Sequence, residues 1–235
     1  FPAYNSCMNK IEVNTKTSCI KDILKLYAIF VMTLDHLSAI FLEHNTMAYM
    51  TCQFLGNSTF TIMAFSLVQG FRYTHSLKKY AWRLLLAAVA SQLPYMIVNG
   101  MHLNIMFSLL VCLGLLYIIE RFGLFCGVVL YILYMPASLL FDWYFMAPAF
   151  VIIFKLSENS KKLLLLGITV NAIMYFVGKG FSLYSLFSIL LPGLLLWLSY
   201  DYLQMKSKNI VPRNLFYVYY PLHLCVLAIL KYIIL

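Results

Sequence analysis

Long apolar runs almost free of charge are the feature that most constrains the fold of this chain. The stretch 124–141, for example, contains no charged residue. A helix crosses a bilayer with about 20 mostly apolar residues, whereas the strands of a membrane barrel alternate polar and apolar residues. Because 63% of the 235 residues are hydrophobic and only 11% are charged, at a mean hydropathy of +0.85, a soluble globule could not bury them. The sequence therefore predicts an all-α, polytopic integral membrane helix bundle. It excludes a soluble enzyme, a disordered chain, a coiled coil and a DNA-binding module.

About nine spanning helices are predicted, within a range of eight to ten. The predicted spans are 23–42, 54–71, 82–98, 103–119, 124–141, 144–156, 162–177, 182–199 and 214–235. The sixth span is short, and it is re-entrant in the alternative count of eight. Residues 1–20 are polar and are predicted as a separate amphiphilic or disordered segment, followed by a single transmembrane domain over 21–235.

The basic residues indicate how such a bundle is oriented. With a cytoplasmic N-terminus and alternating spans, fifteen of the seventeen Lys and Arg lie on the cytoplasmic side, and only Lys179 and Lys231 lie outside. Positive charge in short loops stays inside the cell, so this distribution predicts nine spans with the C-terminus outside. It also explains most of the net charge of +9 without a polyanionic partner, so no nucleic-acid partner is expected.

The first span carries two ionisable residues, Asp35 and His36, in its outer half. An ionisable side chain inside a membrane costs about 2.5–3.5 kcal/mol on insertion scales and is a functional candidate. Imidazole suits a general base, and a nearby carboxylate can hold its tautomer. Adjacent helical residues point about 100° apart, so the side chain of Asp35 could interact with a different helix from the one that His36 contacts. The plainer alternative is a polar pair that only packs helices together.

Further polar side chains are predicted in the same outer half and are candidates for substrate binding. Each also has a plainer interpretation: an interhelical hydrogen bond, a wet loop, the membrane interface, or a satisfied core histidine beside a proline kink. The candidates are Gln92, His102, Asn104, Asp142 and His223.

The densest basic cluster lies on the cytoplasmic side and consists of Arg72, Lys78, Lys79 and Arg83. Such a cluster could bind the phosphates of a nucleotide-like donor. Alternatively, its only role could be to fix the orientation of the chain in the membrane. The chain has no Walker loop, GxGxxG, HExxH or GxSxG motif. Its five His show no metal-ligand spacing, so no metal is expected.

Several short motifs together resemble the TraX family of membrane proteins from conjugation systems. The resemblance extends from about residue 21 to the C-terminus, and the order and spacing of the motifs carry it. The motifs are Leu24-Lys25, Met32-Thr33-Leu34-Asp35-His36, the run 60–72, Arg83, Ser91-Gln92-Leu93-Pro94, the run 104–109, Asp142-Trp143-Tyr144 and Tyr219-Tyr220-Pro221-Leu222-His223.

The resemblance implies a membrane acetyltransferase of the bacterial inner (cytoplasmic) membrane. It implies acetyl-CoA as the donor and the N-terminal amine of a pilin as the acceptor. The family is distantly similar to the transmembrane acyltransferase superfamily, whose first helix often carries a basic residue, ten further residues and a His. Lys25 and His36 have that spacing, with Lys in place of the usual Arg. The resemblance thus implies His36 as catalytic base with Asp35 beside it, and Lys25 on the donor side.

The predicted mechanism brings acetyl-CoA from the cytoplasm, with its phosphates near Arg72, Lys78, Lys79 and Arg83. His36 would deprotonate an acceptor amine in the outer half of the membrane, and Asn104 or Gln92 could stabilise the oxyanion. Direct transfer and an acetyl-His36 intermediate are both open. The acceptor is also open among a pilin, another exported peptide and a glycan.

Two other functions compete with the enzyme. The polar stripe could belong to a transporter for a small solute or for protons, although paired broken helices are not evident. Flux in proteoliposomes without an acetyl donor would favour that hypothesis. Alternatively, the chain could be a non-catalytic assembly factor of a conjugation or pilus system. A complex with pilin that survives loss of Asp35 and His36 would favour assembly.

Overall fold

The computed structural model of the chain is a bundle of helices. It describes residues 2–44, 46–204, 211–212 and 214–234, with side chains from residue 19 onward, and no β-strand occurs in these ranges. The helices are α1 (Pro2–Phe41), α2 (Met47–Tyr73), α3 (Leu77–Asn99), α4 (Ile105–Phe122), α5 (Leu124–Tyr134), α6 (Met146–Ser157), α7 (Lys161–Gly178), α8 (Leu183–Leu198), α9 (Tyr200–Gln204) and α10 (Leu215–Ile234), with a 3₁₀ turn at Ala137–Leu140.

Five helical segments are long and apolar enough to cross a membrane, which agrees with the predicted class. They are Cys19–Phe41 within α1, together with α3, α4, α7 and α10. The helices α5, α6 and α8 are apolar but shorter. The predicted boundary after residue 20 is not a break in the backbone, because α1 runs without interruption from Pro2 to Phe41.

Helix α1 runs parallel to α10, as three levels of contact between them show. The Thr33 hydroxyl meets that of Tyr219, His36 meets His223 four residues further along α10, and Ile40 packs in one cluster with Leu227. Residue numbers therefore increase in the same direction on both helices. Helix α10 is also parallel to α3, since Arg83 lies over the Tyr217 ring and Lys231 binds the Ile97 carbonyl.

Helices α2, α6 and α8 run in the opposite direction to α1. Asp35 lies against Gly56, whereas the Ala28 carbonyl, earlier in α1, accepts from Thr59, later in α2. Helix α6 runs parallel to α2, because Phe60 and Phe65 make edge-to-face contacts with Phe150 and Phe154 in that order. Helix α8 is also parallel to α2, because Phe54 contacts Tyr184 and the Asn57 amide donates to Ser188.

These directions bring most described Lys and Arg to one end of the bundle, which we call the basic end. It collects the start of the apolar part of α1, the starts of α3 and α7, and the ends of α2, α4 and α6. Its residues are Lys21, Lys25, Arg72, Lys78, Lys79, Arg83, Arg121, Lys155, Lys161 and Lys162. Lys179 and Lys231 lie at the opposite end, which we call the outer end. The predicted cytoplasmic residues Lys10, Lys16, Lys206, Lys208 and Arg213 lie outside the described side chains.

The core is mostly aliphatic and includes residues from most of the helices, and it has an aromatic part between α2 and α6, where Phe60, Phe65, Phe150 and Phe154 are almost fully buried. Apolar side chains also cover the side surface of the bundle, away from its core, as Leu93 and Leu133 show with 70% exposure each. A soluble protein would pay for such a surface in water, whereas lipid is its natural solvent. The fold is thus a multi-pass helical bundle for a bilayer.

Candidate functional site

The centre of the site is a pair of histidines on the parallel helices α1 and α10. His36 Nδ1 lies 2.8 Å from His223 Nε2, and the two rings are stacked with centroids 5.1 Å apart. One turn nearer the basic end, the Thr33 and Tyr219 hydroxyls are 2.7 Å apart. The fully buried Tyr220 adds its ring next to both imidazoles. His223, predicted as a substrate-binding residue, is therefore placed in direct contact with the predicted base.

Asp35 points to a different helix from His36, as expected for adjacent residues of a helix. Its side chain lies against Gly56 of α2, so closely that a Cβ built on Gly56 would come 2.5 Å from Asp35 Cγ. Asp35 Oδ1 is buried and has no hydrogen-bond partner among the described residues. An acidic oxygen kept in this state is costly, so the Asp35 carboxyl group needs a proton, a water molecule or a cationic group as its partner.

Replacing Gly56 by alanine is expected to destabilise the protein by about 1–3 kcal/mol, the usual range for overpacking. The added methyl group would displace the Asp35 carboxylate. The measurement is thermal unfolding in detergent, compared with Gly114→Ala. A Cβ at Gly114 of α4 meets nothing within 4 Å, so this control should unfold at or above the wild-type temperature. Equal melting temperatures for the two variants would show that Asp35 does not pack tightly on Gly56.

Asp142 lies in a tight turn at the outer end, between the 3₁₀ turn and α6. Its backbone N–H donates to the Leu103 carbonyl at 2.8 Å, and its carbonyl accepts from the Ser108 hydroxyl at 2.7 Å. Its Oδ1 accepts from the Trp143 N–H at 3.0 Å. Trp143 and Tyr144 have φ of 64° and 43°, which is rare for bulky residues and marks backbone strain. The strain persists because the Trp143 ring is held between Phe60 and Tyr175.

Asp35 and Asp142 lie within electrostatic range of each other in the outer half of the bundle, and we call them the carboxyl pair. Asp142 acts electrostatically on Asp35, and Tyr95 interacts with both carboxylates. Tyr175 and Tyr184 also lie within electrostatic range of Asp35. Two neighbouring carboxylates repel unless a proton or a cation lies between them, and the Tyr95 hydroxyl donates a hydrogen bond to Asp142. The carboxyl pair therefore needs either a shared proton or a positively charged ligand.

Asn104 and Gln92, predicted as substrate-binding residues, hold the turn between α3 and α4. The buried Asn104 amide donates to the Ala88 carbonyl at 2.8 Å, to Ser91 Oγ at 3.1 Å and to Gln92 Oε1 at 2.9 Å. Its Oδ1 caps α4 by accepting from the Met106 N–H, and the Gln92 amide donates to the His102 carbonyl at 2.8 Å. Three protein acceptors already share the two amide hydrogens of Asn104, so the structure leaves it no donor for an oxyanion. His102 is exposed, and its ring lies 6.3 Å from Tyr144.

A cavity of about 330 Å³ extends from the basic end into the bundle. At its mouth lie Lys21, Lys25, His75 and Arg83, and its inner wall includes Met106 in the first turn of α4. Gln69 also lines it, and both polar atoms of its amide are buried without a hydrogen-bond partner in the described part of the chain. The volume lies within the range of about 300–1,000 Å³ found for small-molecule sites. An amide in such a cavity is satisfied either by water or by a polar ligand.

The structure divides the predicted donor-binding residues. Lys25 and Arg83 line the cavity, whereas Arg72 donates to Gln204 Oε1 at 2.8 Å, and Lys78 and Lys79 are exposed in the first turn of α3. Sequence reasoning did not single out Gln69. An amide within an otherwise apolar stretch of α2 was the available signal.

Comparison with known proteins agrees with the resemblance of the motifs. The family model described as TraX protein matches residues 20–231. A similar curated protein is the probable fimbrial assembly protein FimC, serogroup H1, of Dichelobacter nodosus, which is 39% identical over 69 residues. That match covers 29% of this chain and 28% of the relative. No solved structure matches the chain.

Proposed function

The chain belongs to the TraX family, and on that premise we propose that it is a membrane-embedded acetyltransferase. It would move an acetyl group from cytoplasmic acetyl-CoA to an amine in the outer half of the bacterial inner membrane. The observation that carries the proposal is the His36–His223 pair with the carboxyl pair nearby. This arrangement combines a base with a site for a cationic acceptor, and a cavity on the cytoplasmic side could admit the donor.

The helix directions support nine crossings with the N-terminus inside. Because α1 and α10 run parallel, the number of crossings from one to the other is odd, which favours nine over eight. The described Lys and Arg collect mainly at the basic end, and positive loops stay in the cytoplasm. The basic end would then face the cytoplasm, and the His36–His223 pair would lie beyond the middle of the membrane.

The cavity suits the donor. Lys25 and Arg83 at its mouth provide positive charge for phosphate groups, and the Gln69 amide could pair with the amide groups of a pantetheine arm. Lys25 and His36 are eleven residues apart, or about 16 Å at the ordinary helical rise. The donor would therefore keep its phosphates at the basic end and extend its thioester toward His36. Met106 lies on the inner wall of the cavity. The backbone of its neighbour Ile105 interacts with the Tyr220 hydroxyl, and the Tyr220 ring contacts His36.

Replacing Arg83 by glutamine is expected to weaken binding of CoA by about 10- to 100-fold, because a hydrogen bond to a charged group contributes about 1.5–3 kcal/mol. The measurement is calorimetric titration of the protein in nanodiscs with CoA. Lys162→Gln is the matched control, since Lys162 is exposed at the same end and does not line the cavity. Equal weakening by both variants would mean that the basic end acts only through its overall charge.

The transfer step needs one base and one released proton. The acceptor ammonium first releases a proton to the medium, the neutral amine nitrogen then attacks the thioester carbonyl, and His36 takes the second proton that the nitrogen loses. The new C–N bond forms, the C–S bond breaks, and the departing thiolate takes the proton from His36. The products are the N-acetylated acceptor, CoA with a free thiol and the proton released from the ammonium. An acetyl-His36 intermediate would divide the same balance into two steps.

An amine acceptor fits the carboxyl pair better than a hydroxyl does. A peptide N-terminus arrives as an ammonium group, and two buried carboxylates stabilise a cation. A sugar hydroxyl is neutral and gains little from this charge. A fimbrial assembly protein among the relatives is consistent with a pilin or another exported peptide as the acceptor.

The direct test is acetyl transfer from labelled acetyl-CoA by the purified protein in nanodiscs. Peptides with a free N-terminus and sugars would be offered separately. Transfer to the peptide amine that ceases when the peptide is blocked at its N-terminus would support the proposal. If labelled donor is neither bound nor consumed with any acceptor, the chain is not this enzyme.

A non-catalytic assembly factor is the second candidate, and the name of the fimbrial relative favours it. In that case Asp35 and His36 would only pack helices together. The double variant Asp35→Asn with His36→Ala separates the two functions. Pilus assembly that persists in the double variant would support the assembly factor, whereas assembly that depends on both residues would support the enzyme.

A further inference from the structure

The hydrogen bonds of the histidine pair determine where its protons lie. His223 Nδ1 is 3.1 Å from the backbone carbonyl of Tyr219. A carbonyl oxygen only accepts hydrogen bonds, so His223 Nδ1 must carry a hydrogen. A neutral imidazole has one N–H, and a charged one is costly inside a membrane. His223 Nε2 therefore has a free lone pair.

The same reasoning continues to His36. Because His223 Nε2 is an acceptor, the 2.8 Å contact requires that His36 Nδ1 donates its hydrogen. His36 Nε2 then has no hydrogen, and its lone pair is the basic nitrogen of the pair. The relay runs in one direction, from His36 to His223 and from His223 to the Tyr219 carbonyl.

Asp35 does not hold His36 in this arrangement. Its side chain is directed at Gly56 of α2, whereas the His36 ring stacks on His223 of α10. The resemblance implied Asp35 as the neighbour of the base, and sequence adjacency alone suggested that it could hold the tautomer. The residue that contacts the His36 ring is instead His223 of α10.

We infer that His223 is a positioning residue that fixes the tautomer and ring orientation of His36, so that His36 Nε2 carries no proton and is the nitrogen free to take one from an acceptor. When Nε2 takes a proton, the imidazolium keeps its Nδ1–H bond to His223, which stabilises the charge. The catalytic consequence rests on the proposed acetyltransferase function. The tautomer itself does not, because it follows from the hydrogen bonds alone.

Nitrogen NMR of the protein in nanodiscs, labelled with ¹⁵N-histidine, tests the tautomer directly. The His36 and His223 signals are assigned by their loss in His36→Asn and His223→Asn. We expect an unprotonated Nε2 and a protonated Nδ1 for both residues at neutral pH. A protonated His36 Nε2 in the wild-type protein would overturn the inference, whatever the activity of the protein.

Variants at His223 test its role. In His223→Leu the His36 signals should lose the preference for a protonated Nδ1, and kcat for acetyl transfer should fall about 10²-fold, at the lower end of a general-base contribution, with little change in KM. His223→Gln should recover most of the kcat, because its side-chain oxygen can accept from His36 Nδ1. Thr33→Val is the control, since it breaks the neighbouring contact between the same helices and leaves both histidines in place.

The outcomes separate this inference from the proposed function. If the tautomer is as expected but no form of the protein transfers acetyl groups, the hydrogen bonding inferred for the histidine pair is correct and the proposed acetyltransferase function is wrong. If the wild-type protein is active and His223→Leu changes neither the His36 signals nor kcat, the positioning role is wrong. A loss of activity in Thr33→Val equal to that in His223→Leu would show that helix packing alone is responsible, and would also overturn the inference.

Discussion

Replacing His36 by alanine is expected to lower the rate of acetyl transfer by about 10²–10⁴-fold, the contribution of a general base. The variant keeps the donor cavity, because His36 does not line it, so binding of CoA should be unchanged. The measurement is the initial rate with labelled acetyl-CoA and a peptide amine, together with a CoA titration. Loss of rate with intact donor binding would place the defect in chemistry.

The control for this variant is His44→Ala. His44 is exposed in the loop between α1 and α2, where its ring contacts Tyr49, and its removal should leave the rate within about twofold. Thermal unfolding of both variants separates catalysis from stability, because His36→Ala also deprives His223 Nε2 of its donor. A His36→Ala variant that is folded and fully active would rule out His36 as the base.

The class of fold could be predicted from the sequence because few backbone structures can cross a bilayer. An apolar run must be helical there, since no water satisfies its backbone. Helix boundaries were harder to predict. Helix α2 begins at Met47, seven residues before the predicted span, because the Thr46 hydroxyl accepts from the Tyr49 N–H and caps it.

The histidine pair shows what sequence reasoning could and could not reach. Both histidines stood out as polar groups inside apolar segments, and their motifs matched the family. Their contact could not be predicted, because 187 residues separate them and nothing in the sequence says that α1 packs against α10. Helix adjacency in a bundle depends on the shapes of all its interfaces.

Asn104 was assigned to the substrate, although its local signal pointed elsewhere. An Asn directly before an apolar run is typical of a helix N-cap, and the structure shows that role. The turn at Asp142 is the opposite case. The sequence around Asp142 indicated a position at the membrane–water interface. The left-handed backbone of Trp143 and Tyr144, however, depends on stacking of the Trp143 ring with Phe60 and Tyr175 from distant helices.

Asp35→Asn is expected to raise KM for a peptide amine by about 10- to 100-fold, because the buried carboxylate would lose its attraction for the ammonium group. Asparagine has nearly the same shape, so the close fit against Gly56 is kept and the fold should remain intact. Donor binding should not change, because Asp35 does not line the cavity. The measurement is KM and kcat for one peptide over a range of concentrations.

Asp201→Asn is the matched control for the loss of a carboxylate. Asp201 is exposed at the basic end, where it pairs with Lys161 at 2.8 Å, and its KM for the peptide should equal that of the wild type. A neutral acceptor of similar size gives the second comparison, since it gains nothing from a carboxylate and should react equally well with Asp35→Asn. If the variant instead lowers kcat for charged and neutral acceptors alike and leaves KM unchanged, Asp35 acts on the chemistry of His36, and the carboxyl pair is not an ammonium site.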